Sequence, residues 1–419
     1  MHPNKLRFIR IFLASIVGLI LLLYLFIQIP WVQNKLVQKA TQSLSSSLGT
    51  EVKVGKVGFA LFNSIDLQEI LIRDQHKDTL VYTHTLKLRI SDIFFSTSQP
   101  VIKYIGLEGT KVYLHRTSPQ WNYQFLLDYV NKGSQKKNSS YDLKKIEIAQ
   151  LDFLQDDEWV GQSMHLKSAN IIANFNHFND SLIHIDQLVA NKPFYTIQNK
   201  KGIRKSAPII KKTINPIGEL YFGNANTTIL ANQIKISQGK LWIENDFAKP
   251  TKHFDGFHIR LNELNAQIEN ASFIKDTIKA KVQLSTKERS GLHIQQLKTQ
   301  FRMTPQIMEL NKLYIKTNKS ILGPYYAMEY KDLAEDFNDY IHKVTMKAHL
   351  INAQVATDDI AFFAPELNSI HQKVNASFKF NGTVADFKTE GLSAQYNNSF
   401  VKGNFSMKGI PEMRNTLIN

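Results

Sequence analysis

No cysteine occurs in the 419 residues. That excludes a thiolate zinc site, and it suits a chain exported to a compartment where stray thiols are oxidised. The common catalytic signatures are missing as well. There is no G-x-x-x-x-G-K-S/T phosphate loop: Gly49 and Gly55-Lys56 stand one residue too far apart, and no Ser or Thr follows. Neither G-x-G-x-x-G nor H-E-x-x-H is present. Gly161-Gln162-Ser163 fails as a nucleophile elbow, because His165 stands where glycine is required. The 13 histidines are scattered, and His253 and His258, five apart, suit neither one helix face nor a zinc pair. The densest acidic cluster, Asp156-Asp157-Glu158, reads as an exposed turn. The sequence therefore assigns no catalytic, cofactor-binding or metal-binding residue, and the chain does not read as an enzyme.

Acidic side chains are in short supply: 36 Asp and Glu against 51 Lys and Arg leave a net charge of +15. Much of the excess sits in Lys132–Lys145 and in Lys192–Lys212, the latter holding no acid. Basic chains attract nucleic acid or anionic membranes. The export topology argued next favours lipid headgroups and excludes nucleic acid as the partner. Solvated basic loops are the simpler reading of the same runs.

What is present begins with residues 11–29, IFLASIVGLILLLYLFIQI, an uncharged apolar run. At about 1.5 Å per residue it covers nearly the whole hydrocarbon core of a bilayer. Its Leu, Ile, Val and Phe residues favour insertion by roughly 4–8 kcal/mol. The anchor is assigned to Ile11, Phe12, Leu13, Ile16, Val17, Leu21, Leu22, Leu25, Phe26 and Ile29, with Trp31 at the interface. Lys5, Arg7, Arg10 and the amino terminus precede the span, and only Lys35 and Lys39 follow it closely. That bias places residues 1–10 in the cytoplasm and the bulk of the chain outside. A cleaved signal peptide would have a shorter apolar region and small residues at its end.

Residues 30–49 read as an amphipathic helix, started by Pro30, striped by Leu36, Val37, Ala40, Leu44 and Leu48, and capped by Gly49. From Glu51 the period becomes two, as in Leu86, Leu88 and Ile90 alternating with Lys87 and Arg89. A pattern then recurs: apolar, any, apolar, any, any, apolar. It begins at Ile65, Ile102, Ile146, Ile183, Ile259, Leu292 and Met308, with a stretched copy at Ile234. Two inward residues, one extra residue, then the same face again is what a β-bulge supplies. Repeated bulges bend a sheet in one sense, and repeats of this size indicate an array.

Three segments interrupt the β pattern: a helix capped by Asn122, helical spacing over 327–343, and an N-capped turn over 358–367 that stops before Pro365. They suit plugs or covers for a sheet edge. Residues 132–141 and 200–214 read as loops. The chain ends without a distinct capping element, so an array continuing beyond it is expected.

The run from the anchor through LVQKATQSLSSSLGTEVKVGKVGFALFNSIDLQEILIRD resembles AsmA-like proteins. More closely, it is similar to the N-terminal portion of the TamB translocation and assembly family in its Bacteroidetes-type form. VIKYIGLEGTKVYLHR with the WNYQFLLDYV helix, and DFNDYIHKVTMKAHLINAQVATDDIAFFAPEL, carry the same likeness in the same order. The resemblance implies one inner-membrane anchor and a long periplasmic β-groove along which phospholipid acyl chains slide. It also implies an outer-membrane barrel assembly partner, bound through a C-terminal region absent from these residues. The expected fold is thus mainly β: an elongated, bent open groove with one transmembrane helix and a few short helices. Residues 50–131 are an N-terminal β region with a short helix, and 142–419 the repeating groove. Its lining is assigned to Ile65, Leu67, Ile146, Ile148, Ile183, Ile185, Ile234, Ile236, Ile259 and Leu261. The rival reading is a scaffold or chaperone for outer-membrane β-proteins that carries no lipid.

Overall fold

A computed structural model describes residues 29–60, 64–90, 101–133, 143–204, 227–410 and 416–418. Of the expected anchor only Ile29, with the neighbouring Trp31, falls inside these ranges, and both are exposed. The other anchor residues, and most of both expected loops, lie outside the described residues. Among the described residues no helix is long and apolar enough to cross a membrane. The protein is mainly β, with a few short helices. It divides into two compact units, one ending at Asp156 and the other starting at Asp157.

In the first unit, helix α1 (Pro30–Leu48) buries Val32, Gln33 and Leu48, while Ala40 of the expected stripe is exposed. Gly49 ends it at φ +66°, in the left-handed region that glycine adopts at little cost. Ser45 ties the helix to β1 (Val52–Ala60): its Oγ accepts from the Val52 amide at 3.0 Å. β1, β2 (Ser64–Arg73), β3 (Thr79–Ile90) and β4 (Ile102–Arg116) form an antiparallel meander. Helix α2 (Gln124–Gly133) and β5 (Lys145–Asp157) complete the unit. Asn122 does not cap α2. Its Oδ1 accepts from the His115 amide at 2.9 Å, and its Nδ2 donates to Asp74 Oδ2 at 3.1 Å.

The second unit opens with β6 (Gln162–Phe178), which pairs antiparallel with both β7 (Leu182–Asn191) and β8 (Phe194–Asn199). β9 (Thr228–Asn245) then lies parallel to β7 and β8. From β9 onward the chain is an antiparallel run: β10 (Ile259–Ile274), β11 (Thr277–Glu288), β12 (His293–Met303) and β13 (Ile307–Lys316). Two short strands, β14 (Ile321–Leu322) and β15 (Pro324–Glu329), lead to β16 (Thr345–Ala356). β17 (Lys373–Gly382), β18 (Asp386–Tyr396), β19 (Ser399–Lys408) and β20 (Leu417–Ile418) end the run.

The helical insertions are shorter than the sequence suggests. Residues 327–329 are strand, because Ala327, Met328 and Glu329 pair with β13 on one side and β16 on the other. Helix starts only at α3 (Leu333–Asn338) and α4 (Tyr340–Lys343). Between β16 and β17, α5 (Thr357–Ile360) ends before a separate 3₁₀ turn, Pro365–Leu367. Pro365 therefore opens the second turn, where its missing N–H costs nothing. Asp157 also departs from the exposed turn expected of it: it is buried, its carboxylate accepting from the Val160 amide at 2.9 Å.

The repeat has a backbone counterpart. In five of its eight copies the fifth position is a non-glycine residue at positive φ: Glu69, Gln150, Gln238, Glu263 and Lys312. At Gln238, Glu263 and Lys312 the ladder registers slip by one residue beside it. The copy starting at Leu292 slips too, opposite Leu284–Thr286, without positive φ. In the first unit Gly55, Glu69, His84 and Gly109 fall in one row across β1–β4, so no slip is needed. Burial follows the reset: Gln68 and Glu69 are both exposed and Ile70 is buried, which strict alternation forbids. A left-handed L-residue costs about 1–2 kcal/mol. Lys312→Val, which adds β-branching at φ +51°, is expected to destabilise the second unit by about 1–2 kcal/mol in denaturant unfolding. Lys312→Gly should leave stability level or slightly raised.

Candidate binding face

The cross-strand registers of the second unit join apolar residues into long rows. One runs Ala190, Ile236, Ala266, Leu284, Leu297, Ile315, Leu322 across β7 and β9–β14. A second runs Ala280, Phe301, Leu310, Tyr326, Ala348, Phe380, Thr389, Phe405 across β11–β19. Between them on β11 and β12 lie Val282 and Thr299; beyond them Met303, Met308, Met328 and Met346 form a sulfur ladder. Side chains alternate along a strand, so the intervening Lys279, Lys281, Gln283, Lys298, Gln300 and Arg302 project from the other face. That face is knitted by ion pairs such as Arg302–Glu309 at 2.5 Å and Lys347–Glu329 at 2.7 Å.

The apolar face is half-buried along its length rather than sealed. Among the described residues the largest side chains with no exposure are Leu80 in the first unit and Val344 in the second. A sheet packed against a second layer would bury most of its inward residues fully. Val344 sits where α4 meets β16 and closes one end of the apolar face. There the Tyr340 hydroxyl reaches Met346 Sδ at 3.2 Å and the Tyr326 hydroxyl at 3.3 Å. Burial, then the neighbouring Tyr340, pushes the Tyr326 hydroxyl well above the usual phenol range. At the opposite end the α5 segment folds over: Asp359 Oδ2 accepts from the Lys319 amide at 3.1 Å. Where the bulges of β9, β10 and β12 meet, a hollow of about 250 Å³ opens with a mostly polar lining: Lys235, Gln267 and Gln283 of the other face, with Gln295 and Gln296, beside Ile236, Ala266 and Leu284.

The ten residues assigned to a lining are all half-buried. Ile234 and Ile236 lie between Leu188 and Ala190 on β7 and Ile268 and Ala266 on β10. Ile183 and Ile185 lie beside Ile229 and Ala231, and Ile259 and Leu261 beside Ile243 and Leu241. In the first unit Ile65 pairs with Leu88, and Leu67 with Val57 and Leu86. Ile146 and Ile148 are on β5. The sequence reading missed Leu284, Leu297, Phe301 and Phe380, which carry the middle of both rows. Leu297 closes a copy of the repeat, and alternation with Lys298, Arg302 and Lys379 is the signal for the others.

His253 and His258 do not form a metal pair. His258 is buried, its Nδ1 at 3.0 Å from Asp255 Oδ2 and its Nε2 at 3.0 Å from the Asn245 carbonyl. Burial alone would raise the Asp255 carboxyl, but the Thr251 and Phe257 amides and the His258 ring outweigh it and hold it below the usual range. This cluster, with Arg289 donating to the Thr251 carbonyl at 2.6 Å, fixes the β9–β10 connection at one rim of the sheet.

No family model, curated protein or solved structure matches this chain.

Proposed function

We propose that the apolar sheet face binds phospholipid acyl chains, and that the chain conducts phospholipid between the inner and outer membranes in support of outer-membrane biogenesis. Residues 11–29 anchor it in the inner membrane, with the N-terminus cytoplasmic and the bulk periplasmic. The observation that carries this reading is the pair of apolar rows, each crossing seven or more strands and left half-exposed. Contiguous exposed apolar surface marks a binding site. Each acyl CH₂ withdrawn from water there contributes about 0.8 kcal/mol. No polar constellation is required, since headgroups can remain in solvent, and no cofactor is invoked. The resemblance to the TamB family supports the same reading and adds an outer-membrane barrel partner reached through a further C-terminal region.

A second reading, a scaffold or chaperone for outer-membrane β-proteins, is favoured by β19. It carries Phe400 and Val401 more than half exposed. Among the described residues its Ser399–Ser406 stretch pairs only with β18. Photo-crosslinking in cells from Ile148, Ile185, Ile234 and Ile236 separates the two. Lipid adducts at these positions, with none from Lys281 on the opposite face, are the expected result. Folded protein that yields no lipid adduct sinks the conduit. Adducts to outer-membrane proteins in their place support the scaffold.

A further inference from the structure

The turns of the second unit fall at two rims, and the two rims differ in chemistry. One rim gathers the connections 158–161, 199–204, 245–258, 288–292, 317–320 and 357–372. They are joined side to side: Ile203 N–H donates to the Glu158 carbonyl at 2.9 Å, Asp246 N–H to the Asn199 carbonyl at 2.9 Å, and Phe254 N–H to the Phe362 carbonyl at 3.0 Å. The Phe254 and Phe363 rings meet at 4.9 Å.

Along this line the sequence spends large apolar side chains where solvent should be. Phe247 is 68% exposed, Phe363 59% and Ile203 58%, with Val160, Phe257 and Ile360 also outward. Single exposed apolar residues are ordinary, but a line of them along one rim is not. The opposite rim, where α3 and α4 lie, shows fewer among the described residues: Ile274, Ile341 and the two residues of the short β20, Leu417 and Ile418.

Charge follows the same line. Lys201, Arg204, Lys249 and Lys252 are exposed and form no ion pair among the described residues. Of the neighbouring acids, Asp255 is engaged by His258 and Arg289, Asp358 by Lys319 and His371, Glu288 by Ser290 and Asp246 by Gln198, while Glu366 is exposed. Outward aromatic and aliphatic tips among unpaired cations suit the headgroup boundary of an anionic bilayer. Rings and alkyl tips enter the acyl margin while ammonium groups meet phosphate. Among the described residues the rim's hollow, about 230 Å³, lies between the 317–320 and 357–372 connections and is lined by Lys319, Asp358, Asp359 and His371, away from Phe247, Lys249 and Lys252.

We propose that this rim docks on an anionic lipid surface, seating Phe247 and Phe363 at the acyl margin and Lys249 and Lys252 at the phosphates. The contact is distinct from the apolar face and stands whether or not that face carries acyl chains.

The absence of native cysteine makes the test direct. Phe247→Cys, Phe363→Cys and, at the opposite rim, Gln306→Cys are each labelled with a polarity-sensitive fluorophore on the full chain held in nanodiscs. Free vesicles of phosphatidylcholine, alone or mixed with phosphatidylglycerol, are then added. The expected result is a blue shift at 247 and 363 with the anionic vesicles only, none at 306, and loss of the shift at high salt. Lys249→Gln with Lys252→Gln should weaken the response by roughly 25-fold, at about fivefold per cation. No shift at 247 and 363, an equal shift at 306, or an equal response to neutral vesicles overturns the proposal. Acyl crosslinks from Ile236 report on the sheet face alone, so failure of either reading leaves the other intact.

Discussion

Ile236→Asp is expected to weaken acyl-chain binding to the second unit by roughly 30- to 150-fold, the equivalent of about 2–3 kcal/mol. Ile236 lies in the row that joins β7 to β14, with Ala190 on one side and Ala266 on the other. An acyl chain covering that row would strip water from any charge placed in it. Without ligand the position is half-exposed, so the carboxylate stays hydrated and folding suffers far less than binding. The readout is displacement of a fluorescent fatty acid from the full chain in nanodiscs, with thermal unfolding measured alongside. Ile236→Leu conserves volume and polarity and should change binding by no more than a fewfold. Unaltered binding with Asp at position 236 would remove the apolar row from the mechanism.

Leu80→Ala carries the largest stability effect, about 2–5 kcal/mol in the first unit. Leu80 has no exposure at all, alone among the larger apolar side chains described in that unit. It lies beside a turn in which the buried Asp74 carboxylate accepts from the His76 amide at 2.9 Å and the Asp78 amide at 3.0 Å. The turn is tied to the end of α1, where Gln75 Nε2 donates to the Leu48 carbonyl at 3.0 Å. Truncation there leaves a cavity that these fixed neighbours cannot collapse into. Denaturant unfolding should show the first unit's transition moving to lower concentration while that of the second stays put. A coincident shift of both would show that the units unfold as one.

Much of the architecture was legible because the apolar spacing encodes backbone as well as burial. A step of two followed by a step of three states where the extra residue sits, and Glu69, Gln238, Glu263 and Lys312 occupy it at positive φ. The helix over 30–48 was legible from Pro30, Gly49 and the stripe between them. The failures share a cause: they turn on partners distant in sequence. Ala327 to Glu329 have helical spacing with the residues that follow, yet two flanking strands claim their backbone groups. Asn122 reads as a cap until Asp74 takes its side chain. The parallel placement of β7 and β8 on β9 left no mark, since each strand's alternation is the same in either direction. The rim was invisible because Phe247 and Phe363 sit in connections, where no period links one aromatic residue to the next.

That parallel seam sets an order of assembly. From β9 to β13 every pairing joins neighbours through a connection that closes locally, so hairpins can zip one onto the next. Leu182 pairs with Thr228, far along the chain, and bringing such distant residues together costs entropy that no local contact offsets. Non-local pairings of this kind are the slow ones. The seam is accordingly the last stretch of ladder to form, and until it does β9 presents a bare edge to any strand that arrives first.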